Sequence, residues 1–197
     1  MKPYSESCEE NKMPILAVLE SYFEGSETVL EIGSGTGQHA VFFAEQFPYL
    51  TWIASDQLQY HAGIKMWLAE SSLINTQGPL LLDVDQAEWP IKEVDAIFSA
   101  NTVHIMGWPS VEKMFKGIGM ILKETGIFCL YGPFNYNGQF SSESNARFDL
   151  WLKQRDPVSG VRDFEALQAL ANKAGLELMD DIEMPVNNRV LVWRKIS

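Results

Sequence analysis

The sequence predicts a doubly wound α/β fold, with a seven-stranded, mostly parallel sheet that closes in a C-terminal antiparallel hairpin. Three observations carry that expectation. Short β-rich runs alternate with helically spaced segments from residue 12 onward. Two runs, Ala96-Ile97-Phe98 and Ile127-Phe128-Cys129-Leu130, are apolar on both faces, as central parallel strands covered by helices must be. The first predicted strand stops at a Gly-x-Gly-x-Gly turn that opens a helix.

Taken in order, Ile15, Val18, Leu19, Tyr22 and Phe23 recur at helical spacing, with Pro14 suited to a first turn and Gly25 just past the end. Thr28 to Ile32 reads as a strand stopping at Gly33, and Ala40, Val41, Ala44 and Phe47 restore helical spacing before Pro48. Leu50 to Ser55 is then a strand, Gln57 to Glu70 a helix, and Pro79 to Leu82 and Val94 to Ser99 two further strands. Ser110 to Leu122 is a helix and Gly126 to Tyr131 a strand. Helices are expected over Ser141 to Gln154 and Phe164 to Ala174, with Gly175 as the C-cap before the strand Leu176 to Met184. Turn residues at 184 to 188 set up the last strand, Arg189 to Lys195, so the two final strands form a hairpin. Trp151, Phe148 and Leu152 share one helical stripe and are expected in the core. Gly132 to Ser144, rich in Gly, Asn and Ser, reads as a loop at the strand ends where open α/β sheets bind ligands. The pattern is Rossmann-like, and 197 residues suit one domain over 1–197.

Composition narrows the function. Hydrophobic residues at 46% and charged residues at 21% suit a folded globular chain. No segment has the make-up of a signal peptide or membrane anchor. A net charge of -11, from 26 acidic against 15 basic side chains, argues against a nucleic-acid partner, whose phosphates need clustered Lys and Arg. Two cysteines, Cys8 and Cys129, exclude a disulfide framework and fit a reducing cytoplasm. No His, Cys or carboxylate cluster has metal-ligand spacing.

The strongest chemical signal is Val29-Leu30-Glu31-Ile32-Gly33-Ser34-Gly35-Thr36-Gly37. Glycines there let the backbone turn sharply and approach a ligand, while the helix N-terminus offers N–H donors. Asp56 ends the second strand, nineteen residues beyond Gly37. A carboxylate at that place can accept both hydroxyls of a ribose, or it can cap the helix that follows. Tyr131, Phe134, Asn135, Tyr136 and Asn137 offer apolar faces with polar tips at the ligand edge, which suits a small organic molecule or ordinary loop packing.

These residues resemble class I S-adenosylmethionine-dependent methyltransferases. Residues 31–37 look like the family's first motif, Asp56 like the acidic residue after its second strand, Leu81-Leu82-Asp83-Val84 like its third motif, and residues 94–101 like its fourth. The poorly characterised methyltransferase-like 26 family is similar in Asn11 to Leu16, Ser99 to His104, and Tyr131 to Gly138. The resemblance implies S-adenosylmethionine as cofactor. Its amino acid part would lie along Gly33, Ser34, Gly35, Thr36 and Gly37, with Glu31 near its ammonium group. Asp56 and Gln57 would meet the ribose, and Asp83 and Val84 would border the adenine. Asn101, His104 and Tyr131 would stand near the transferred methyl group, with His104 able to take the acceptor's proton or simply to bond a loop. Residues 1–13 would cover the cofactor or fray.

Two other classes compete. Gly35-x-Gly37-x-x-Ala40 formally fits an NAD(P)-dependent oxidoreductase, but counted from Gly33 the sixth place is Gln38, and a second mononucleotide half is lacking. A non-catalytic S-adenosylmethionine-binding regulator would keep the same glycines. Among acceptors a small molecule leads and a protein side chain follows, because Asn101-Thr102-Val103-His104 lacks the Asn-Pro-Pro-aromatic sequence of amide and base methylation.

Overall fold

A computed structural model describes residues 2–196. Helix α1 spans Glu6–Tyr22, followed by β1 (Thr28–Ile32), α2 (Gln38–Gln46), β2 (Thr51–Asp56), a short 3-10 turn (Leu58–Tyr60) and α3 (His61–Ser71). Next come β3 (Thr76–Leu81), β4 (Val94–Ala100), α4 (Trp108–Ile121) and β5 (Leu122–Gly132). After them run β6 (Phe134–Tyr136), β7 (Gln139–Phe140), α5 (Glu143–Arg155), β8 (Arg162–Asp163) and α6 (Phe164–Lys173). The final hairpin is β9 (Leu176–Met184) and β10 (Asn188–Lys195), joined through a 3-10 turn at Pro185–Asn187.

Seven strands form one sheet in the order β3-β2-β1-β4-β5-β10-β9. The pairs from β3 to β5 are parallel, and β10 is antiparallel to both β5 and β9. This is the Rossmann-like sheet with an antiparallel closing hairpin that the sequence predicts. Along β5 alternate residues feed opposite faces. Phe128 and Leu130 join Leu30, Ile97, Phe115 and Trp193 on one face, while Cys129 and Tyr131 join Phe23, Phe43, Trp52 and Phe98 on the other. Both faces are therefore dry, and the continuous apolar runs of β4 and β5 follow from that.

Chain order reverses between β1 and β4, since β1 continues outward to β2 while β4 continues the other way to β5. In such sheets the crevice past the strand ends at the reversal is where ligands bind. Gly33 and Asn101 are the first residues beyond those two strands.

Four local expectations need correction. Pro14 lies inside α1 rather than at its start. The turns before it are held by tertiary bonds: the Ser5 amide donates to Gln38 Oε1, Gln38 Nε2 donates to Glu9, and His39 Nε2 donates to Asn11 Oδ1 at 2.7 Å. Those contacts offset the hydrogen bond a proline cannot make. The expected helix over 57–70 divides into a 3-10 turn and α3. The expected loop 132–144 folds into β6 and β7, which pair with β8 as a second, three-stranded sheet. The Phe148, Trp151 and Leu152 stripe of α5 faces the crevice instead of a sheet face, and Trp151 is 48% exposed. Among the described residues no helix is long and apolar enough to cross a membrane.

Candidate active site

The turn after β1 is built from three left-handed glycines, with φ of 77° at Gly33, 55° at Gly35 and 91° at Gly37. Each plays a different part. A methyl group added at Gly33 would meet the Thr102 methyl at 2.6 Å, so this glycine lets the turn pack on the residues after β4. At Gly37 it would meet the α3 backbone at Ile64, 3.0 Å away. At Gly35 it would meet nothing within 4 Å, because that position faces the open crevice. A ligand can thus lie against bare backbone at Gly35 alone.

The amides of this turn are largely occupied, contrary to the expectation of free donors. Gly33 and Ser34 both donate to Ser55 O at 3.0 Å, Gly35 donates to Asp56 Oδ2 at 2.7 Å, and Gly37 donates to Ser34 O at 2.8 Å. A pyrophosphate needs such amides free and would face the Asp56 carboxylate, so the geometry disfavours a dinucleotide.

Asp56 also accepts from the Gln57 amide through Oδ1 at 2.7 Å, and His61 Nε2 donates to its backbone carbonyl at 2.9 Å. One bond to each carboxylate oxygen leaves a lone pair on each for two hydroxyls. Burial pushes the pKa of Asp56 above the usual carboxylate range, and the two amides work against that shift. Leu82, Val84 and Asp85 continue this wall. Asp83 is not part of the lining, and its Oδ1 accepts from the Asp85 amide at 3.0 Å. Glu31 lies beneath the turn, 2% exposed, where its Oε2 accepts from Ser34 Oγ at 2.9 Å and Trp52 Nε1 at 3.1 Å. Burial pushes its pKa up to about 7, and the two donors pull the other way.

Across the reversal the wall is made of side chains. Asn101 takes a left-handed conformation, φ 58°, with its amide donating to Tyr131 O at 2.9 Å. His104 follows on a short turn and is almost wholly buried; its Nδ1 has no hydrogen-bond partner. Burial, aided by the nearby Arg162 charge, lowers its pKa to about 4, so the imidazole is neutral at physiological pH. Arg162 fixes the turn: Nε donates to Val103 O at 3.0 Å, and Nη2 donates to Val158 O at 2.8 Å and to Met106 O. The Gly160 amide donates to His104 O at 2.9 Å. The Phe148 ring meets the His104 ring edge-on, centroids 5.3 Å apart.

One cavity of about 940 Å³ joins the two walls. Of the residues singled out from sequence, Gly33, Ser34, Gly35, Thr36, Asp56, Gln57, Val84, Asn101, His104 and Tyr131 line it. Glu31, Gly37 and Asp83 do not, nor do Phe134, Asn135, Tyr136 and Asn137, which fold into and beside β6 instead of facing the ligand edge. Ser5, which precedes α1, and Ser7, Cys8, Glu10, Asn11 and Pro14 of α1 also line it. The sequence reading missed Asn145, Val186, Asn188 and the Arg162 clamp, and it assigned the α5 aromatics to the core. Only the stripe of Phe148, Trp151 and Leu152 gave a signal, and helical spacing cannot tell a core face from a cavity face. Among the described residues no group of three or more His, Cys, Asp or Glu side chains could hold a metal ion.

The family model described as "Protein of unknown function (DUF938)" matches residues 2–195. Several solved structures share the fold. An O-methyltransferase family protein from Burkholderia thailandensis superposes with a TM-score of 0.83 at 13% identity, over 94% of this chain and 56% of its own. Human N-acetylserotonin methyltransferase, in complex with S-adenosylmethionine, gives 0.80 at 15%, over 98% of this chain and 53% of its own. This chain therefore spans little more than half the length of those two proteins. The YcgJ protein from Bacillus subtilis gives 0.75 at 15%, over 96% of this chain and 99% of its own. At such identities the likeness shows a common methyltransferase-type fold.

Proposed function

We propose that this chain, which belongs to the DUF938 family of proteins of unknown function, is an S-adenosylmethionine-dependent methyltransferase acting on a small-molecule acceptor. The observation that carries this is the Gly35 position. Within a turn otherwise closed by Thr102 and Ile64, a bare backbone opens onto a cavity whose one lip is Asp56 and whose far wall is His104. The residues fit the cofactor. Gly33 to Thr36 would border its amino acid part, Asp56 and Gln57 its ribose hydroxyls, and Leu82 and Val84 its adenine. Glu31, one layer below, would face its ammonium group through Ser34. The stretches similar to methyltransferase-like 26 proteins fall on α1, on the end of β4 with the His104 turn, and on β5 with β6, three segments around this same cavity.

When bound, the cofactor supplies a methyl group on a positively charged sulfur, which leaves as a neutral thioether with the electron pair of the broken bond. The protein's own work is to place the acceptor in line, exclude water and receive the proton. His104, neutral and lining the cavity, takes that proton; Asn101 and Tyr131 position the acceptor beside it. Among the described residues of the N-terminal segment, Ser5, Ser7, Cys8 and Asn11 cover the cofactor, and the protein works in the cytoplasm on a metabolite rather than on nucleic acid. A cavity of about 940 Å³ lies near the upper end of small-molecule pockets, roughly 300–1,000 Å³, leaving room for a second molecule.

Calorimetry with S-adenosylmethionine, S-adenosylhomocysteine and NADH on folded protein tests the reading, followed by incubation with labelled S-adenosylmethionine and a metabolite extract. Heat for the two sulfur ligands alone and label in a small-molecule fraction are expected. No heat for either sulfur ligand overturns it, and binding without any label transfer favours a regulator.

A further inference from the structure

The acceptor end of the cavity has a chemistry of its own. On the β5–β10 side of the crevice, α5 presents Phe148 and Trp151, whose rings lie 5.8 Å apart and within 17° of parallel, next to the His104 ring. Trp151 is half-exposed although it is the largest apolar side chain on its helix, so the fold leaves this aromatic surface without a partner of its own.

Val186 also lines the cavity. It is β-branched yet adopts the left-handed region, φ 60° and ψ 36°, with Asn187 beside it at φ 59°. Such a conformation is strained for valine, and strain of this kind gathers at binding sites where surrounding bonds enforce it. Here the bonds come from α5: Asn145 Nδ2 donates to Asn187 O at 3.1 Å, and Asn187 Nδ2 donates to Ser144 Oγ at 3.1 Å. The helix that carries the aromatic pair thus also fixes the turn that holds a second apolar side chain of the lining, 78% exposed.

Charge supplies the second constraint. Among the described residues the cavity lining contains no Lys or Arg, while Glu10, Asp56 and Asp85 contribute carboxylates. Nearby basic groups are engaged elsewhere: Arg162 on three backbone carbonyls, Lys153 on Asp149 at 2.7 Å, and Arg155 over the Trp151 ring outside the lining. A carboxylate or phosphate on the acceptor would lose its water without gaining a cation.

Building on the methyltransferase reading, we propose that the acceptor is a flat aromatic molecule without an anionic group, seated against the Phe148–Trp151 wall in the part of the cavity that Val186 also lines. A matched trio tests this by calorimetry on protein saturated with S-adenosylhomocysteine: 2-naphthol, 6-hydroxy-2-naphthoate and decahydro-2-naphthol. The naphthol is expected to bind about tenfold more tightly than either companion, the size of an aromatic pair contact. Trp151→Ala should remove the margin over the saturated ring and Trp151→Phe should keep most of it, while the margin over the naphthoate, which comes from charge, persists in both, with unchanged S-adenosylhomocysteine affinity. Equal or tighter binding of the naphthoate or the saturated ring, or a margin over the saturated ring that survives Trp151→Ala, overturns the proposal and leaves the methyltransferase reading standing. Failure of S-adenosylhomocysteine to bind in the first step overturns both.

Discussion

The two walls of the cavity are built in opposite ways. The wall past β1 is backbone: three left-handed glycines within five consecutive residues, pinned by Ser55 and Asp56 of the neighbouring strand. The wall past β4 and β5 is side chain: His104, Tyr131, Phe148, Trp151 and Val186 come from four separate segments and meet only in the folded chain. A backbone cradle tolerates almost no substitution, because any Cβ changes either the fold or the space. A side-chain wall can be altered residue by residue, which is how one fold comes to serve many acceptors.

The largest effect should come from two glycines of the first wall that look equivalent in sequence. Gly33→Ala places a methyl group 2.6 Å from Thr102 at a φ of 77°, and clash and backbone strain together should cost about 3 kcal/mol in denaturant unfolding. Gly35→Val, whose Cβ meets no protein atom within 4 Å, should cost only about 1 kcal/mol for its left-handed backbone. It should nonetheless weaken S-adenosylhomocysteine binding about a hundredfold, since the side chain fills the crevice. If Gly35→Val binds normally, the ligand does not lie against this turn.

That contrast also explains what the sequence discloses. The glycine turn, Asp56 and the alternation of strands and helices are legible because each is written in contiguous residues with a local cause: positive φ, strand period, turn chemistry. Pro14 misled because long-range bonds from Gln38 and His39 outweigh a local helix rule. The α5 stripe misled because a cavity wall and a core have one periodicity. Val186 gave no signal at all, since its strain arises from Ser144 and Asn145, some forty positions earlier in the chain.

His104→Gln is the next largest step, and it probes the second wall. General-base assistance is worth roughly 10²–10⁴ in rate, so turnover should fall about a hundredfold or more while cofactor affinity holds. With the His104 pKa near 4, wild-type turnover should show no acid limb from this group between pH 5 and 8. A limb near pH 6.5 that disappears in the variant would mean the ring is not held in its buried, neutral state.

Protonation should divide the walls in stability as well. His39 and His104 both have pKa values lowered to about 4 by burial, so between pH 4 and 6.5 the unfolded chain binds more protons at these sites. Their contribution is present above pH 6.5 and is lost as pH falls. Glu31, raised to about 7, behaves oppositely: its contribution is present below pH 4.5 and is lost as pH rises through 7. From pH 4.5 to 6.5 two groups oppose one, and stability should climb by roughly 1 kcal/mol per pH unit. Glu31→Gln should steepen that climb and remove any decline near pH 7. Urea midpoints across this range report both, and a flat profile would contradict the burial of these three groups.

The smallest effect is also the one with two opposing signs at a single residue. In Val186→Gly the left-handed conformation becomes strain-free, a gain of about 1–2 kcal/mol, offset by roughly 0.5–1 kcal/mol from the freer unfolded chain. Because Val186 is 78% exposed, little burial is lost. The variant should therefore unfold at a slightly higher denaturant concentration, by up to about 1 kcal/mol, while binding 2-naphthol more weakly. Higher stability joined to weaker acceptor binding is what a strained side chain kept for contact predicts. Lower stability with unchanged binding would instead mean that the 185–188 turn needs this side chain for its own packing, and the second wall would then end at α5.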